Sequence, residues 1–120
     1  MTRSLLVVED DGLIRMDLAD TLTDLGFEVA EAGNADEALI ALGKNRQFAA
    51  LLTDIDMPGS MNGIALAHYV ASSYSDCQIM VISGRYHPAQ GSLPQGAQFL
   101  LKPISQKALL EALGVAGLKP

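Results

Sequence analysis

The chain has 120 residues, of which 49% are hydrophobic, and a formal net charge of −6 at pH 7. These values predict one compact globular domain over residues 1–120 and argue against a disordered segment. With only eight basic residues, the chain lacks the clusters that direct nucleic-acid binding needs, and no apolar run approaches the roughly 20 residues of a membrane span. A single cysteine, Cys77, excludes an internal disulfide, and without a signal peptide we expect a cytoplasmic protein.

The N-terminal part of the chain predicts a buried strand followed by a helix. The strand, over residues 5–8, ends at the acidic run Glu9-Asp10-Asp11. Because Asp11 stands where the helix starts, we expect it to cap the helix rather than bind metal. The helix extends over about residues 12–25, and its predicted core face consists of four apolar residues: Ile14, Leu18, Leu22 and Leu25.

A second strand and helix precede the central strand. The mixed strand covers residues 27–31, and Asn34 then caps a helix with Glu37 three residues later, in a capping-box arrangement. The apolar run over residues 48–52 predicts a strand buried on both faces, which ends at Asp54.

The second half of the chain repeats the alternation of strands and helices. A helix over residues 62–73 precedes a buried strand over 78–82 that ends at Ser83. A last strand, over 98–101, leads into Lys102-Pro103, and a capped helix follows. Five strands alternating with helices predict a helix-covered parallel sheet.

The segment between Ser83 and Gly96 departs from this alternation. Its two prolines and Gly91 leave no room for a regular helix. We therefore predict a flavodoxin-like, doubly wound α/β fold with strand order 2-1-3-4-5 and helices on both faces. Its fourth helix is expected to be short or replaced by a loop.

Polar residues stand at the ends of four predicted strands. Glu9 and Asp10 follow the first strand, Asp54 ends the third, Ser83 the fourth and Lys102 the fifth. The carboxyl ends of parallel strands meet at one edge of the sheet, so these groups should converge. A lone strand-end aspartate is more often a cap or turn residue, but clustered carboxylates suit Mg²⁺, and the whole set suits phosphoryl transfer.

These motifs resemble the receiver domains of two-component response regulators. Glu9-Asp10 matches the family's acidic pair, and residues 54–58 match its phospho-acceptor motif, Asp-x-x-Met-Pro. Ser83 matches a Ser or Thr position, and residues 96–103 match the closing motif with its switch aromatic, Phe99. The stretches Met57–Gly63 and 83–85 resemble a group of alphaproteobacterial single-domain regulators.

The resemblance implies that Asp54 accepts a phosphoryl group from a histidine kinase or a histidine phosphotransfer protein. It implies Mg²⁺ bound by Asp10, Asp54 and the backbone carbonyl of Asp56, with Glu9 acting through a metal-bound water. Lys102 and Ser83 would contact the phosphoryl oxygens, and Phe99 would swing inward, changing partner binding. The bond between Lys102 and Pro103 is expected to be cis.

The same resemblance implies a regulatory module that turns over only its own phosphoryl group, and allows a homodimer on phosphorylation. We also infer that Asp56 and Arg85 pair across the site, although two separately solvated charges are equally compatible with the sequence.

Two other functions fit parts of the sequence. Asp54-Ile55-Asp56 also resembles the Asp-x-Asp motif of haloacid-dehalogenase-type phosphatases, in which the second aspartate is a general acid. That motif normally follows the first strand of a larger domain, whereas here it follows the third. A degenerate receiver that acts as a constitutive binding module is the remaining alternative.

Overall fold

Five short parallel strands form a single sheet in a computed structural model that describes residues 3–118 apart from 45–46, 58, 60 and 85–91. The strands are β1 (Ser4–Val8), β2 (Glu28–Ala32), β3 (Ala50–Asp54), β4 (Gln78–Ser83) and β5 (Gln98–Leu101). The helices found in these residues are α1 (Gly12–Asp24), α2 (Ala35–Lys44), α3 (Gly63–Ser73) and α4 (Gln106–Val115). The strand order is β2-β1-β3-β4-β5, as the sequence predicts.

Two apolar cores, one on each face of the sheet, explain why the central strands are uniformly hydrophobic. On β1, Leu6 and Val8 point into the core beneath α2 and α3, whereas Leu5 and Val7 point into the core beneath α1 and α4. Adjacent residues of a strand face opposite sides, so a strand covered on both faces must be apolar throughout. The predicted doubly wound architecture is confirmed.

Side-chain caps fix where several helices begin. Asp11 Oδ1 accepts from the N–H groups of Leu13 and Ile14 at 3.0 and 3.2 Å, which confirms the predicted cap. Asn62 and Ser105 cap α3 and α4 in the same way. Each cap pairs backbone donors that a helix leaves unpaired at its first turn.

The cap of α2 differs in detail from the prediction. Asn34 Oδ1 accepts from Glu37 N–H at 2.8 Å, as expected. The Glu37 carboxylate, however, accepts from Gly33 N–H at 2.8 Å, one residue before the position that a capping box uses.

The apolar face predicted for α1 is wrong at one position. Leu22 is fully buried, but Ile14 is 43% exposed, because the start of the helix projects beyond the core towards the carboxyl edge of the sheet. Small shifts also occur in the strands: β2 starts one residue later than predicted, and Asp54 is itself the last residue of β3.

Part of the predicted loop after β4 lies within the described residues. Residues 92–97 contain no helix; a turn closes with Ala97 N–H donating to the Pro94 carbonyl at 3.1 Å. His68 Nε2 on α3 lies 2.8 Å from the Ser92 carbonyl oxygen. Residues 85–91, including Arg85, fall outside the described part of the chain, as does any pairing with Asp56.

Among the described helices, none has the length and apolar character needed to cross a membrane.

Gly63 is the point where α3 meets the backbone of β3. Its N–H donates to the Ile55 carbonyl at 2.9 Å, and a Cβ atom placed on it would lie only 1.8 Å from the carbonyl oxygen of Asp54. Real atoms do not approach so closely, so the start of α3 can contact the end of β3 only without a side chain at this position.

We expect Gly63→Ala to lower the free energy of unfolding by about 3 kcal/mol or more, because either α3 or the end of β3 must shift. Urea denaturation would measure this loss. Gly43→Ala in α2 is the matched control, since a Cβ there meets nothing within 4 Å. The control should be neutral or gain about 0.5–1 kcal/mol. Equal stability of the two variants would contradict the close contact.

Candidate functional site

The carboxyl edge of the sheet brings together residues that are far apart in sequence. Glu9 follows β1, Asp54 ends β3, Ser83 ends β4 and Lys102 follows β5. Strand register aligns them, because β3 pairs with both β1 and β4, and Lys102 N–H donates to the Ser83 carbonyl at 3.0 Å. The convergence predicted from the strand order is therefore present.

The Lys102 ammonium bridges two carboxylates at the centre of this edge. Its Nζ donates to Glu9 Oε1 at 2.5 Å and lies 3.4 Å from Asp54 Oδ1. Glu9 is 4% exposed and Asp54 is 7% exposed, so both carboxylates are largely removed from water. One cation therefore neutralises part of the charge of a buried acidic pair.

Backbone donors hold the two buried carboxylates in place. Ile55 N–H donates to Asp54 Oδ1 at 3.0 Å, and Asp11 N–H donates to Glu9 Oε2 at 3.1 Å. Glu9 is thus held through both of its oxygens, by Asp11 N–H at Oε2 and by the ammonium at Oε1, whereas Ile55 N–H and the ammonium both contact Oδ1 of Asp54. This arrangement limits rotation of the side chains before any ligand arrives.

The pKa values of these groups respond mainly to burial and to one another. Burial raises the pKa of Glu9 and of Asp54, and the attraction of each to Lys102 offsets only part of this effect. Burial lowers the pKa of Lys102, but the hydrogen bond from its ammonium to Glu9 and its attraction to Asp54 outweigh that effect, so its pKa is raised. The Lys102 ammonium therefore does not fully compensate the negative charge of the two buried carboxylates.

Asp10 completes an acidic cluster with the correct chemistry for a hard divalent cation. Glu9, Asp10 and Asp54 each offer a carboxylate oxygen, and the three atoms lie within 4.8 Å of one another. Asp10 is exposed, so the cluster opens to solvent on that side. Oxygen ligands with an open, solvated side suit Mg²⁺, which keeps several of its waters.

The other predicted site residues lie on β4 and β5 or just after β3. Ser83 is buried at the end of β4, and Phe99 is half-buried, packing partly against the core beneath α2 and α3. Asp56 is exposed, two residues beyond Asp54. The peptide bond between Lys102 and Pro103 is cis, as expected. Cys77 is buried away from this edge, just before β4, and burial raises the pKa of its thiol to about 11.

A cleft of about 500 Å³ adjoins the acidic pair on the side of α1 and α4. Asp54 and Lys102 contribute to its lining, and seven apolar residues line it as well: Val8, Ile14, Leu18, Leu52, Ile82, Ile104 and Leu109. The exposure of Ile14 is explained by its position on this wall. A partner could therefore approach Asp54 along an apolar surface.

Arg15 is a residue near the site that the sequence patterns do not single out. Its Nη1 donates to the Glu9 carbonyl at 2.8 Å, and its Nε donates to Glu31 Oε1 at 3.2 Å. A cation near the N-terminal end of a helix opposes the helix dipole. A positive charge at this unfavourable position is the feature of the sequence that could have indicated a contact between Arg15 and another element.

Comparison with known proteins gives a consistent result across the whole fold. The family model described as "Response regulator receiver domain" matches residues 5–114. The chain is 35% identical over 115 residues to a chemotaxis protein CheY homolog of Campylobacter jejuni, covering 91% of this chain and 88% of that protein. It superposes on the structure of chemotaxis protein CheY4 of Vibrio cholerae with a TM-score of 0.82 at 29% identity, covering 95% and 98% of the two chains.

A longer relative matches over only part of its length. The response regulator protein FleR of Pseudomonas aeruginosa is 32% identical over 114 residues, which is 92% of this chain but 24% of FleR. The similarity to FleR is therefore confined to one part of that protein.

The raised pKa of Asp54 predicts how Asp54→Asn changes stability without divalent ions. The folded protein binds a proton at Asp54 more tightly than the unfolded chain does. Its stability therefore falls as pH rises above the ordinary value of 3.8 and through the folded-state pKa. We expect the variant to match wild type near about pH 4 and to be the more stable of the two near about pH 7.5.

Urea denaturation in EDTA at both pH values would measure this difference. Asp20→Asn is the control for net charge, because Asp20 is exposed on α1. A loss of stability in Asp54→Asn at the higher pH would show that its carboxylate is favourably paired rather than strained by burial.

Proposed function

Because the chain belongs to the response regulator receiver domain family, we propose that Asp54 is the phospho-acceptor of a phosphorylation-activated response regulator. The observation that carries the proposal is the geometry at the carboxyl edge. A buried carboxylate lies 3.4 Å from an ammonium and beside an acidic cluster that is open to solvent. Phosphoryl transfer needs such a positioned nucleophile together with neutralisation of the oxygens around phosphorus.

Receiver domains accept phosphoryl groups from histidine kinases or phosphotransfer proteins, and we infer a phosphohistidine donor here. A carboxylate oxygen of Asp54 would attack phosphorus while the bond from phosphorus to the imidazole nitrogen breaks. The imidazole, which carries a proton on its other nitrogen, leaves as the neutral ring, and the product is an aspartyl phosphate. No other enzymatic activity is part of the proposal; hydrolysis would be limited to this acyl phosphate.

The acidic cluster would hold Mg²⁺. In our proposal Asp10 and Asp54 supply carboxylate oxygens, the backbone carbonyl of Asp56 supplies a third ligand, and Glu9 acts through a water. Bound there, the ion would neutralise phosphoryl oxygens during transfer. This assignment is supported by the mutual distances of the three carboxylates and by their partial exposure at Asp10.

Lys102 would then exchange partners. In the structure it lies closer to Glu9 than to Asp54, so its ammonium would shift from Glu9 towards the phosphoryl oxygens. Ser83, buried at the end of β4, would bond another phosphoryl oxygen. Phe99, half-buried on β5, would move inward and change the surface that partners recognise.

The cleft between α1 and α4 would receive the phosphodonor. Its apolar wall continues from Asp54 to the exposed side chain of Ile14, and Leu13 beside it is also exposed. An apolar surface of this kind next to a nucleophile suits a protein donor that must hold its phosphohistidine in line with Asp54.

The competing functions have less support. The phosphatase alternative is not favoured, because Asp54 ends the third strand of a receiver fold that the family match covers from residue 5 to 114. A degenerate receiver remains the contrasting outcome of the experiment below. A cytoplasmic location, a single domain over residues 1–120 and a homodimer formed on phosphorylation stay predictions.

Incubation with acetyl phosphate and Mg²⁺, followed by intact-mass measurement, tests the proposal. We expect one added phosphoryl group on wild type, none on Asp54→Asn and none when EDTA replaces Mg²⁺. A phosphotransfer protein carrying phosphohistidine is the second donor. If wild type accepts from neither, the chain is a degenerate receiver that acts as a constitutive binding module.

Lys102→Gln should separate metal binding from phosphoryl acceptance. Removing the ammonium that occupies Glu9 should tighten Mg²⁺ binding by about threefold or more, because a competing cation is lost. Phosphoryl acceptance should fall by about 10–100-fold, since a donor to the developing charge is also lost. Calorimetric titration and the intact-mass time course would measure the two effects.

Lys44→Gln is the matched control for this experiment. It removes the same charge from an exposed position at the end of α2, near the opposite edge of the sheet. Parallel losses of metal binding and phosphoryl acceptance in Lys102→Gln would contradict the partner exchange.

A further inference from the structure

We propose that Arg15 is a positioning residue that aims the acidic pair Glu9-Asp10 by holding the peptide group between them. The inference rests on the proposed function, because it concerns the cation site of the phospho-acceptor. Arg15 would touch neither the cation nor the phosphoryl group. Its effect would pass through the backbone of Glu9.

The contacts of Arg15 link three elements of the fold. The side chain extends from α1, its Nη1 donates to the Glu9 carbonyl at 2.8 Å after β1, and its Nε donates to Glu31 Oε1 at 3.2 Å on β2. The Arg15 side chain is 26% exposed and that of Glu31 is 43% exposed. A planar guanidinium can make both bonds at once in a fixed geometry.

Arg15 holds the peptide group that joins the two residues of the acidic pair. The carbonyl of Glu9 belongs to the peptide joining Glu9 to Asp10, and Glu9 N–H is already fixed by the Ala32 carbonyl at 3.0 Å. With donor and acceptor both engaged, the backbone at Glu9 cannot rotate freely. The two side chains then point where the structure has them, Glu9 at Lys102 and Asp10 into the acidic cluster.

Stability alone is a weak reason for this arrangement. A partly exposed ion pair such as Arg15–Glu31 contributes about 0–1 kcal/mol, and a cation near the start of a helix opposes the helix dipole. A role in positioning the acidic pair therefore explains the contacts of Arg15 better than a contribution to stability does.

The test is calorimetric titration of Mg²⁺ into wild type and Arg15→Gln, at a temperature where both are folded by circular dichroism. Loss of a positive charge beside an acidic cluster would, by Coulomb attraction alone, tighten the binding of a cation. Loss of positioning weakens it. We expect the dissociation constant to rise by about threefold to tenfold, which is below the roughly 10–100-fold effect of residues that contact a metal ligand's side chain, because Arg15 acts only through the backbone.

Three further variants complete the experiment. Arg3→Gln removes the same charge from an exposed site before β1, at the opposite end of that strand, and should leave the dissociation constant unchanged. Arg15→Lys, which keeps the charge but not the two-pronged geometry, should fall between wild type and Arg15→Gln. Glu31→Gln alone should weaken Mg²⁺ binding, but adding it to Arg15→Gln should have no further effect, because the two residues act through one contact.

The outcomes separate this inference from the function it rests on. If wild type binds Mg²⁺ and Arg15→Gln binds it equally or more tightly, the positioning role is overturned and the proposed function stands. If wild type itself binds no Mg²⁺, the proposed cation site fails and the inference fails with it. If Arg15→Gln does not fold, the comparison of Arg15→Lys with wild type decides in the same way.

Discussion

The Lys102 ammonium, shared between two buried carboxylates, is the interaction on which the carboxyl edge of this sheet depends. Glu9 and Asp54 are almost removed from water, and without a cation between them their mutual repulsion would add to the cost of burial. One ammonium does not satisfy the whole acidic cluster, which includes Asp10. The protein therefore holds excess negative charge at the place where a divalent cation and a phosphoryl group would bring the compensating interactions.

The rest of the structure can be understood as support for this edge. Apolar packing on both faces keeps β1 and β3 in register, so that Glu9 and Asp54 face one another. Gly63 allows α3 to contact the backbone of Asp54 directly. The groups that carry the chemistry stand at strand ends, where the main chain is fixed by the sheet but the side chains reach solvent.

Much of the fold and the site could be predicted from the sequence because both follow from local patterns. Alternating apolar runs and amphipathic helices predict a parallel sheet covered by helices, and the strand order is the one common to flavodoxin-like folds. Residue types at the strand ends then indicate which groups converge. The exposure of Ile14 was not predictable, because helical periodicity does not reveal where a helix projects past the core. The role of Gly63 and the contacts of Arg15 depend on distances between elements, which no spacing along the chain reveals.

Glu9 and Lys102 are 93 residues apart in sequence, and their hydrogen bond closes the site across nearly the whole domain. Contacts of such wide separation carry an entropic cost, because a long loop must be closed to form them. During synthesis on the ribosome, a chain that has emerged as far as β4 would already carry Asp54 but not its ammonium partner. The site is therefore complete only when β5 joins the sheet and brings the Lys102 ammonium to Glu9 and Asp54.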